Sequence, residues 1–228
     1  MGRQLSAIEV TLNAANTLTH VMVGFVTVYM CYVAYSRGYS NISMHVLLCT
    51  LGYQLLMAEG ILALASSNVW TIFFTRRTKT IIHWIMQAFG GSFAIIGMAY
   101  EYSGRKSHFR STHSKLGLAS FVFLIITMMN GVTNLFSREM RALIKPVYQR
   151  FFHNLMALVT FVLGMAALFY GFEKRTVTNY ASEEICWILK IFLCITIVTS
   201  SLAALKSGYQ QFKDVIAIND SLVLPEKS

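Results

Sequence analysis

Four histidines stand near the beginnings of four consecutive apolar segments: His45, His83, His113 and His153. His45 and His113 are 68 residues apart, and His83 and His153 are 70 apart. Alternate helices of a chain that crosses a membrane back and forth run in the same direction. This spacing therefore brings His45 and His113 together near one membrane face, and His83 and His153 together near the other. Two facing histidines in a helix bundle can ligate a six-coordinate haem iron, so the pattern predicts two haems and an electron path across the bilayer.

The composition predicts a membrane protein. Of the 228 residues, 55% are hydrophobic and only 13% are charged, whereas a soluble domain usually carries about 25% charged residues. Proline is almost absent and no linker divides the chain, so we expect one membrane domain. The Lys and Arg residues behind the net charge of +9 lie largely in short connections between apolar runs. That arrangement is typical of membrane flanks and predicts no nucleic-acid partner.

The apolar segments predict an all-α, polytopic fold of six transmembrane helices, the central four forming a bundle that holds the haems. A span needs about 20 mostly apolar residues, and six stretches qualify: Ala15–Tyr35, Met44–Leu64, Ile81–Tyr102, Leu116–Phe136, Phe151–Phe172 and Ile185–Leu205. We expect residues 15–205 to form the membrane domain, with an N-terminal tail over 1–14 and a C-terminal tail over 206–228.

The loop charges predict the orientation. With the N-terminus in the cytosol, the cytosolic side carries eleven Lys and Arg residues and the other side eight. Cytosolic loops usually hold the excess, so we expect both termini in the cytosol. On this prediction His83 and His153 lie near the cytosolic face, and His45 and His113 near the lumen or the exterior.

Small side chains continue the stripe of each histidine along its helix. We expect them to leave room for the porphyrin of the opposite site, although packing between membrane helices uses small residues as well. The stripe below His45 holds Gly52 and Glu59. His20 has no partner at the same depth and is expected to be a packing or interfacial residue, and His108 is expected to contact a substrate or nothing.

Cations near the histidines predict anion binding. Arg77, Lys79 and Arg150 lie close to His83 or His153 in the sequence, and Lys115 follows His113. They could bind haem propionates or attract a small anionic reductant such as ascorbate, or they could simply anchor the helix ends. Arg150 precedes His153 by three residues, should share its face, and ranks first among the residues near the electron donor.

The chain resembles the cytochrome b561 family over roughly residues 15–205. Residues 111–117 read STHSKLG, similar to the family motif Ser-Leu-His-Ser-Trp, with Thr112 and Lys115 in place of Leu and Trp. Residues 56–62 (LMAEGIL) and 83–87 (HWIMQ) resemble the branch of cytochrome b561 domain-containing proteins 1 and 2. Residues 63–67 (ALASS) depart from the family, since better-known members carry a Tyr-Arg motif there that is used in ascorbate binding.

The resemblance implies a dihaem reductase. The four central helices would hold two b-type haems, one ligated by His83 and His153 and the other by His45 and His113. Cytosolic ascorbate would be the donor, and monodehydroascorbate or ferric iron the acceptor. Similarity to proteins of internal membranes implies the endoplasmic reticulum or a vesicle membrane.

Two other functions fit the residues. The chain could be a haem b electron-transfer subunit of a larger membrane complex, or a transporter or scaffold without redox activity. A homodimer is compatible with the sequence.

Overall fold

A computed structural model describes residues 6–104 and 106–223, although not the side chains of residues 8, 9 and 220–223. Six long helices account for most of this part of the chain, in which no strand occurs. We number them α1 to α6: Ala7–Ser36, Asn41–Leu62, Arg76–Ser103, Thr112–Leu135, Pro146–Gly171 and Glu183–Val223. All six are long and apolar enough to cross a membrane, which confirms the predicted all-α, six-span fold.

The outer two helices are longer than the sequence suggested. Helix α1 begins at Ala7 and α6 continues to Val223, so most of both expected tails is helical. These extensions carry polar side chains, and a hydropathy pattern marks where a helix is apolar and not where its backbone hydrogen bonds end. Residues 1–5 and 224–228, the ends of the expected tails, lie outside the described residues.

Local capping signals start the four central helices. Ser40 and Thr75 accept hydrogen bonds from the backbone N–H groups at the starts of α2 and α3. Ser111 and Ser114 form a reciprocal capping box at the start of α4, and Pro146 occupies the first turn of α5. These side chains satisfy or remove amide groups that would otherwise lack partners, and they begin each helix shortly before its histidine.

Helix α2 is not a regular α-helix. Its middle, Thr50–Met57, is a π-helix between the α-helical segments Asn41–Cys49 and Ala58–Leu62. A π-helix bonds residue i to residue i+5 and accommodates one additional residue. The far end of α2 is therefore rotated relative to an ideal α-helix.

The helices pack mainly in two pairs. Helices α2 and α3 form one close pair and α4 and α5 the other, while α1 and α6 pack against each other and cover the bundle from outside. Among the described residues, α2 and α4, which carry His45 and His113, are not close-packed neighbours. Val26 of α1, Leu189 of α6 and Phe172 at the end of α5 are fully buried in one hydrophobic core. The space between the two pairs is where the histidines lie.

Candidate metal sites formed by paired histidines

His45 and His113 face each other at one end of the bundle. Their ring centres are 5.9 Å apart and the ring planes are almost perpendicular, at 89°. His45 is buried, and His113 is half-buried. Two imidazoles that ligate one metal from opposite sides, with metal–nitrogen bonds of about 2 Å, would have ring centres about 6 Å apart. The separation therefore suits a metal ion between the rings.

Both rings are held by backbone carbonyls of the neighbouring helix. His45 donates from Nδ1 to the carbonyl of Gly97 at 3.0 Å, and His113 donates from Nδ1 to the carbonyl of Ala167 at 2.7 Å. A carbonyl oxygen can only accept, so each Nδ1 carries the proton and each Nε2 has a free lone pair. This second hydrogen bond is the usual way in which proteins orient a metal-binding histidine.

His83 and His153 lie at the opposite end of the bundle. His83 donates from Nδ1 to the carbonyl of Gly60 at 2.9 Å. His153 lies near His83 and near the backbone of Thr127, and its Nδ1 has no hydrogen-bond partner among the described residues. The structure thus places His45 beside His113 and His83 near His153, and haem ligation by these histidines stays a prediction.

A regular offset separates each histidine from the carbonyl on its own helix that faces the histidine of the adjacent helix. Gly97 follows His83 by 14 residues, Ala167 follows His153 by 14, and Thr127 follows His113 by 14. Fourteen residues make about four turns, which returns to the same face of an α-helix. Within α2–α3 and within α4–α5, each helix therefore supplies one histidine and also a carbonyl facing the histidine of the other.

The π-helix changes this offset in α2 alone. Gly60, which accepts from His83, follows His45 by 15 residues, because Thr50–Met57 takes up one extra residue. The prediction that Glu59 lies on the stripe of His45 was therefore wrong. An α-helical offset was assumed in a helix that contains a π segment.

Glu59 instead contacts His20 of α1. Its Oε1 lies 2.7 Å from Nδ1 of His20, and its Oε2 accepts from Nε1 of Trp70 at 3.2 Å. Asn16 and Asn68 contact the other ring nitrogen of His20. This polar cluster joins α1 to the end of α2 and to the following loop.

The small residues have mixed roles. Cβ atoms at Gly131 and Gly171 would lie 3.3 Å from the rings of His153 and His113, so these glycines adjoin the histidine pairs as expected. Gly52 and Gly90 instead bring the backbones of α2 and α3 into contact. Gly164 lies against Tyr53, a residue that no sequence signal had marked.

The predicted cations are distributed unevenly. Arg77 and Lys115 are exposed at the beginnings of α3 and α4, and Arg150 is exposed with its Nε bonded to the carbonyl of Pro146. Lys79 is buried and donates to the carbonyl of Ala65 at 2.8 Å. This hydrogen bond holds residues 63–67, the segment that departs from the family motif, against the beginning of α3. His108 stacks on Tyr102, with ring centres 4.2 Å apart.

The donor set fits haem. Each pair offers two imidazole nitrogens, and a porphyrin supplies four further nitrogens to its iron. The glycine hydrogens beside His113 and His153 leave space next to these rings that a larger side chain would fill. His45 and His113, and His83 and His153, are the residues that would hold such groups.

Comparison with known proteins agrees with this geometry. The family described as eukaryotic cytochrome b561 matches residues 44–179, a segment that contains all four histidines. The chain is similar to the transmembrane reductase CYB561D2 of Homo sapiens, with 23% identity over 69% of this chain and 72% of the relative. It is also similar to the protein of the same name from Bos taurus, with 24% identity over 79% of this chain and 80% of the relative.

Proposed function

Since the chain belongs to the eukaryotic cytochrome b561 family and is a transmembrane b-type cytochrome oxidoreductase, we propose that it carries electrons from cytosolic ascorbate to the opposite face. Two b-type haems form the path, and monodehydroascorbate or ferric iron is the acceptor. The observation that supports this most is the presence of two opposed histidine pairs, one at each end of a membrane bundle.

The histidines would act as axial ligands. His45 and His113 would hold one haem and His83 and His153 the other, each through Nε2. When bound, haem supplies an iron that gains and loses one electron while its ligands stay in place. The carbonyls of Gly97, Ala167 and Gly60 keep three of the rings oriented and protonated at Nδ1, so little rearrangement accompanies electron transfer.

The cations at the His83 end support an anionic donor. Arg76, Arg77 and Arg150 are exposed there and would attract ascorbate, which is an anion at neutral pH. Buried Lys79 offers two further N–H groups besides the one on Ala65, and these could bind a haem propionate. Lys115 is the corresponding candidate at the His113 end.

The proposal includes an orientation and a location. Both termini would face the cytosol, as the excess of cations at the His83 end suggests, and the membrane would be that of the endoplasmic reticulum or a vesicle. The relatives are named as transmembrane reductases, which supports transfer of electrons across a membrane.

A spectrum of the purified protein tests the proposal directly. We expect two haems per chain and a low-spin b-type absorption band that sharpens when ascorbate is added. His83→Ala should lose the haem nearer the donor, about half of the total, and should abolish reduction by ascorbate. His108→Ala, outside both pairs, serves as the control and should keep full haem content.

Vesicles test the direction of transfer. With ascorbate inside and a ferric chelate outside, the reconstituted wild-type protein should reduce the chelate, and His83→Ala should not. A colourless wild-type protein, or one with haem that ascorbate leaves oxidised, would refute the proposal.

A further inference from the structure

Tyr53 reaches from α2 across the bundle to the opposite helix pair. Only 6% of its surface is exposed, and its hydroxyl lies 2.8 Å from Oγ of Ser120 on α4. Ser120 in turn donates to the carbonyl of Thr160 on α5 at 2.9 Å. Because the Ser120 hydroxyl uses its proton on that carbonyl, Tyr53 must be the donor of the first bond. The chain of hydrogen bonds fixes both the position and the direction of the phenol.

The ring lies between the depths of the two histidine pairs. On α4, Ser120 is seven residues beyond His113 and eleven before Gly131, which adjoins His153. At about 1.5 Å per residue, these separations are about 10 Å and about 16 Å along the helix. Tyr53 therefore occupies the middle of the bundle and lies somewhat nearer to the His45 end.

On the opposite side of the bundle, α5 leaves room for the ring of Tyr53. A Cβ atom at Gly164 of α5 would overlap the ring of Tyr53, so the glycine lets the phenol lie directly against the α5 backbone. Gly164 is seven residues before Gly171, which contacts His113, and eleven beyond His153. The residue spacing along α5 therefore gives the same depth for Tyr53 as the spacing along α4.

We propose that Tyr53 is a positioning residue that bridges the two haem sites and conducts electrons between them. This inference rests on the proposed dihaem function. Tunnelling is faster through bonded atoms and close contacts than across gaps, and an aromatic ring held against α4 and α5 shortens the gap between the two sites. When bound, the two haems would exchange one electron, and Tyr53 would keep its own proton and electrons.

Two substitutions distinguish a role of Tyr53 in electron transfer between the haem sites from a role in packing alone. Tyr53→Phe keeps the ring and loses the hydroxyl, so it should lower the Tm by a few degrees while inter-haem transfer stays at the wild-type rate. Tyr53→Leu removes the ring and should slow transfer several-fold. Transfer is measured by time-resolved absorption after pulsed reduction, together with haem content and both midpoint potentials.

The control is a tyrosine outside the four-helix bundle. Tyr29 of α1 donates to the carbonyl of Tyr180, so Tyr29→Leu also removes a hydrogen-bonded ring from the protein. It should lower the Tm without slowing inter-haem transfer. Wild-type transfer in Tyr53→Leu, with both haems and both potentials retained, would overturn the inference and leave Tyr53 as a packing residue.

Gly164→Ala provides a second route if Tyr53→Leu does not fold. The new methyl group must push the Tyr53 ring away from α5, so transfer should slow although Tyr53 itself is present. Gly24→Ala, where a Cβ meets nothing within 4 Å, should transfer normally. An unchanged rate in Gly164→Ala would count against bridging, whereas a wild-type protein without two haems would refute the proposed function itself.

Discussion

The helix pairs α2–α3 and α4–α5 use the same plan with one difference. In both, each helix brings one histidine and a backbone carbonyl that faces the histidine of the other helix. The offset from histidine to carbonyl is 14 residues in α3, α4 and α5, but 15 in α2, where Thr50–Met57 forms a π-helix. The extra residue leaves Gly60 facing His83 and turns Glu59 towards His20. A local change of helix type thus keeps an acidic side chain away from the ring of His83.

The two pairs also differ in what holds them together. Helices α2 and α3 meet through backbone, since a Cβ at Gly52 would lie 2.7 Å from the carbonyl oxygen of Gly90. Helices α4 and α5 are joined by hydroxyls, with Thr127 and Thr160 paired at 2.9 Å and Ser120 bonded to the Thr160 carbonyl. Close backbone contact tolerates no added atom, whereas hydroxyl contacts allow small shifts. The pairs should therefore respond differently to mutation.

Single-residue deletions should give the largest difference in response between the two helix pairs. Deleting Leu55 lets the π segment become α-helical, which restores a 14-residue offset with Gly60 still facing His83. Deleting Val122 from the α-helical part of α4 rotates the following residues by about 100° and puts Val132 where Gly131 adjoins His153. We expect the first variant to retain both proposed haems and the second to lose about one of the two.

Haem per chain, measured on the purified variants, decides the outcome. Leu55 packs against the hydrophobic core, whereas Val122 is half exposed, so the loss of a side chain alone would harm the first variant more than the second. Equal haem loss in the two variants would mean that the π segment does not act as a one-residue insertion.

Alanine at the two kinds of glycine should have graded effects. In Gly52→Ala the new methyl group meets the backbone of α3, so the helices must separate, at a cost of about 1–3 kcal/mol. In Gly171→Ala the Cβ lies 3.3 Å from the His113 ring, which can move by a few tenths of an ångström. Gly171→Ala should therefore shift the absorption spectrum of the His45–His113 haem, and it should lower the Tm less than Gly52→Ala does.

Thermal unfolding in detergent tests the order of stability, with Gly24→Ala as the variant that adds a methyl group in open space. A Tm for Gly171→Ala below that of Gly52→Ala would contradict the distinction between backbone contact and ring contact.

The smallest effect should come from the polar cluster that the π-helix creates. Glu59→Gln removes the charge paired with His20 and keeps a polar side chain, so it should cost about 1 kcal/mol without changing haem content. His20→Gln should cost a similar amount. Because the two residues are in contact, the double variant should be less destabilised than the sum of the single ones. Strict additivity would show that the pair contributes no coupling.

Much of the architecture could be predicted because lipid imposes simple rules. A span must be apolar and about 20 residues long, and alternate spans must run in the same direction. His45 therefore had to be on the same side as His113, whatever the packing. Helix caps such as Ser111 and Pro146 are local as well, and they set the starts of α4 and α5 near the predicted positions.

The errors arose where the prediction assumed an ideal helix. The offset from His45 to the facing carbonyl depends on the helix type, and nothing in the composition of residues 50–57 distinguishes a π-helix from an α-helix. Glu59 was therefore assigned to the wrong face. The burial of Lys79 could not be predicted from the sequence either, because its contact with Ala65 depends on how the loop after α2 folds back.

The sequence by itself determined the six spans, the pairing of the histidines by membrane face and the family, since each depends on residue type and on spacing along the chain. Only the tertiary structure decided which carbonyl holds which ring, that Glu59 faces His20 and that Tyr53 fills the middle of the bundle. These contacts join residues of different helices, so they depend on the rotation of each helix about its own axis. A single extra residue in one turn changes that rotation while the hydropathy of the span stays the same.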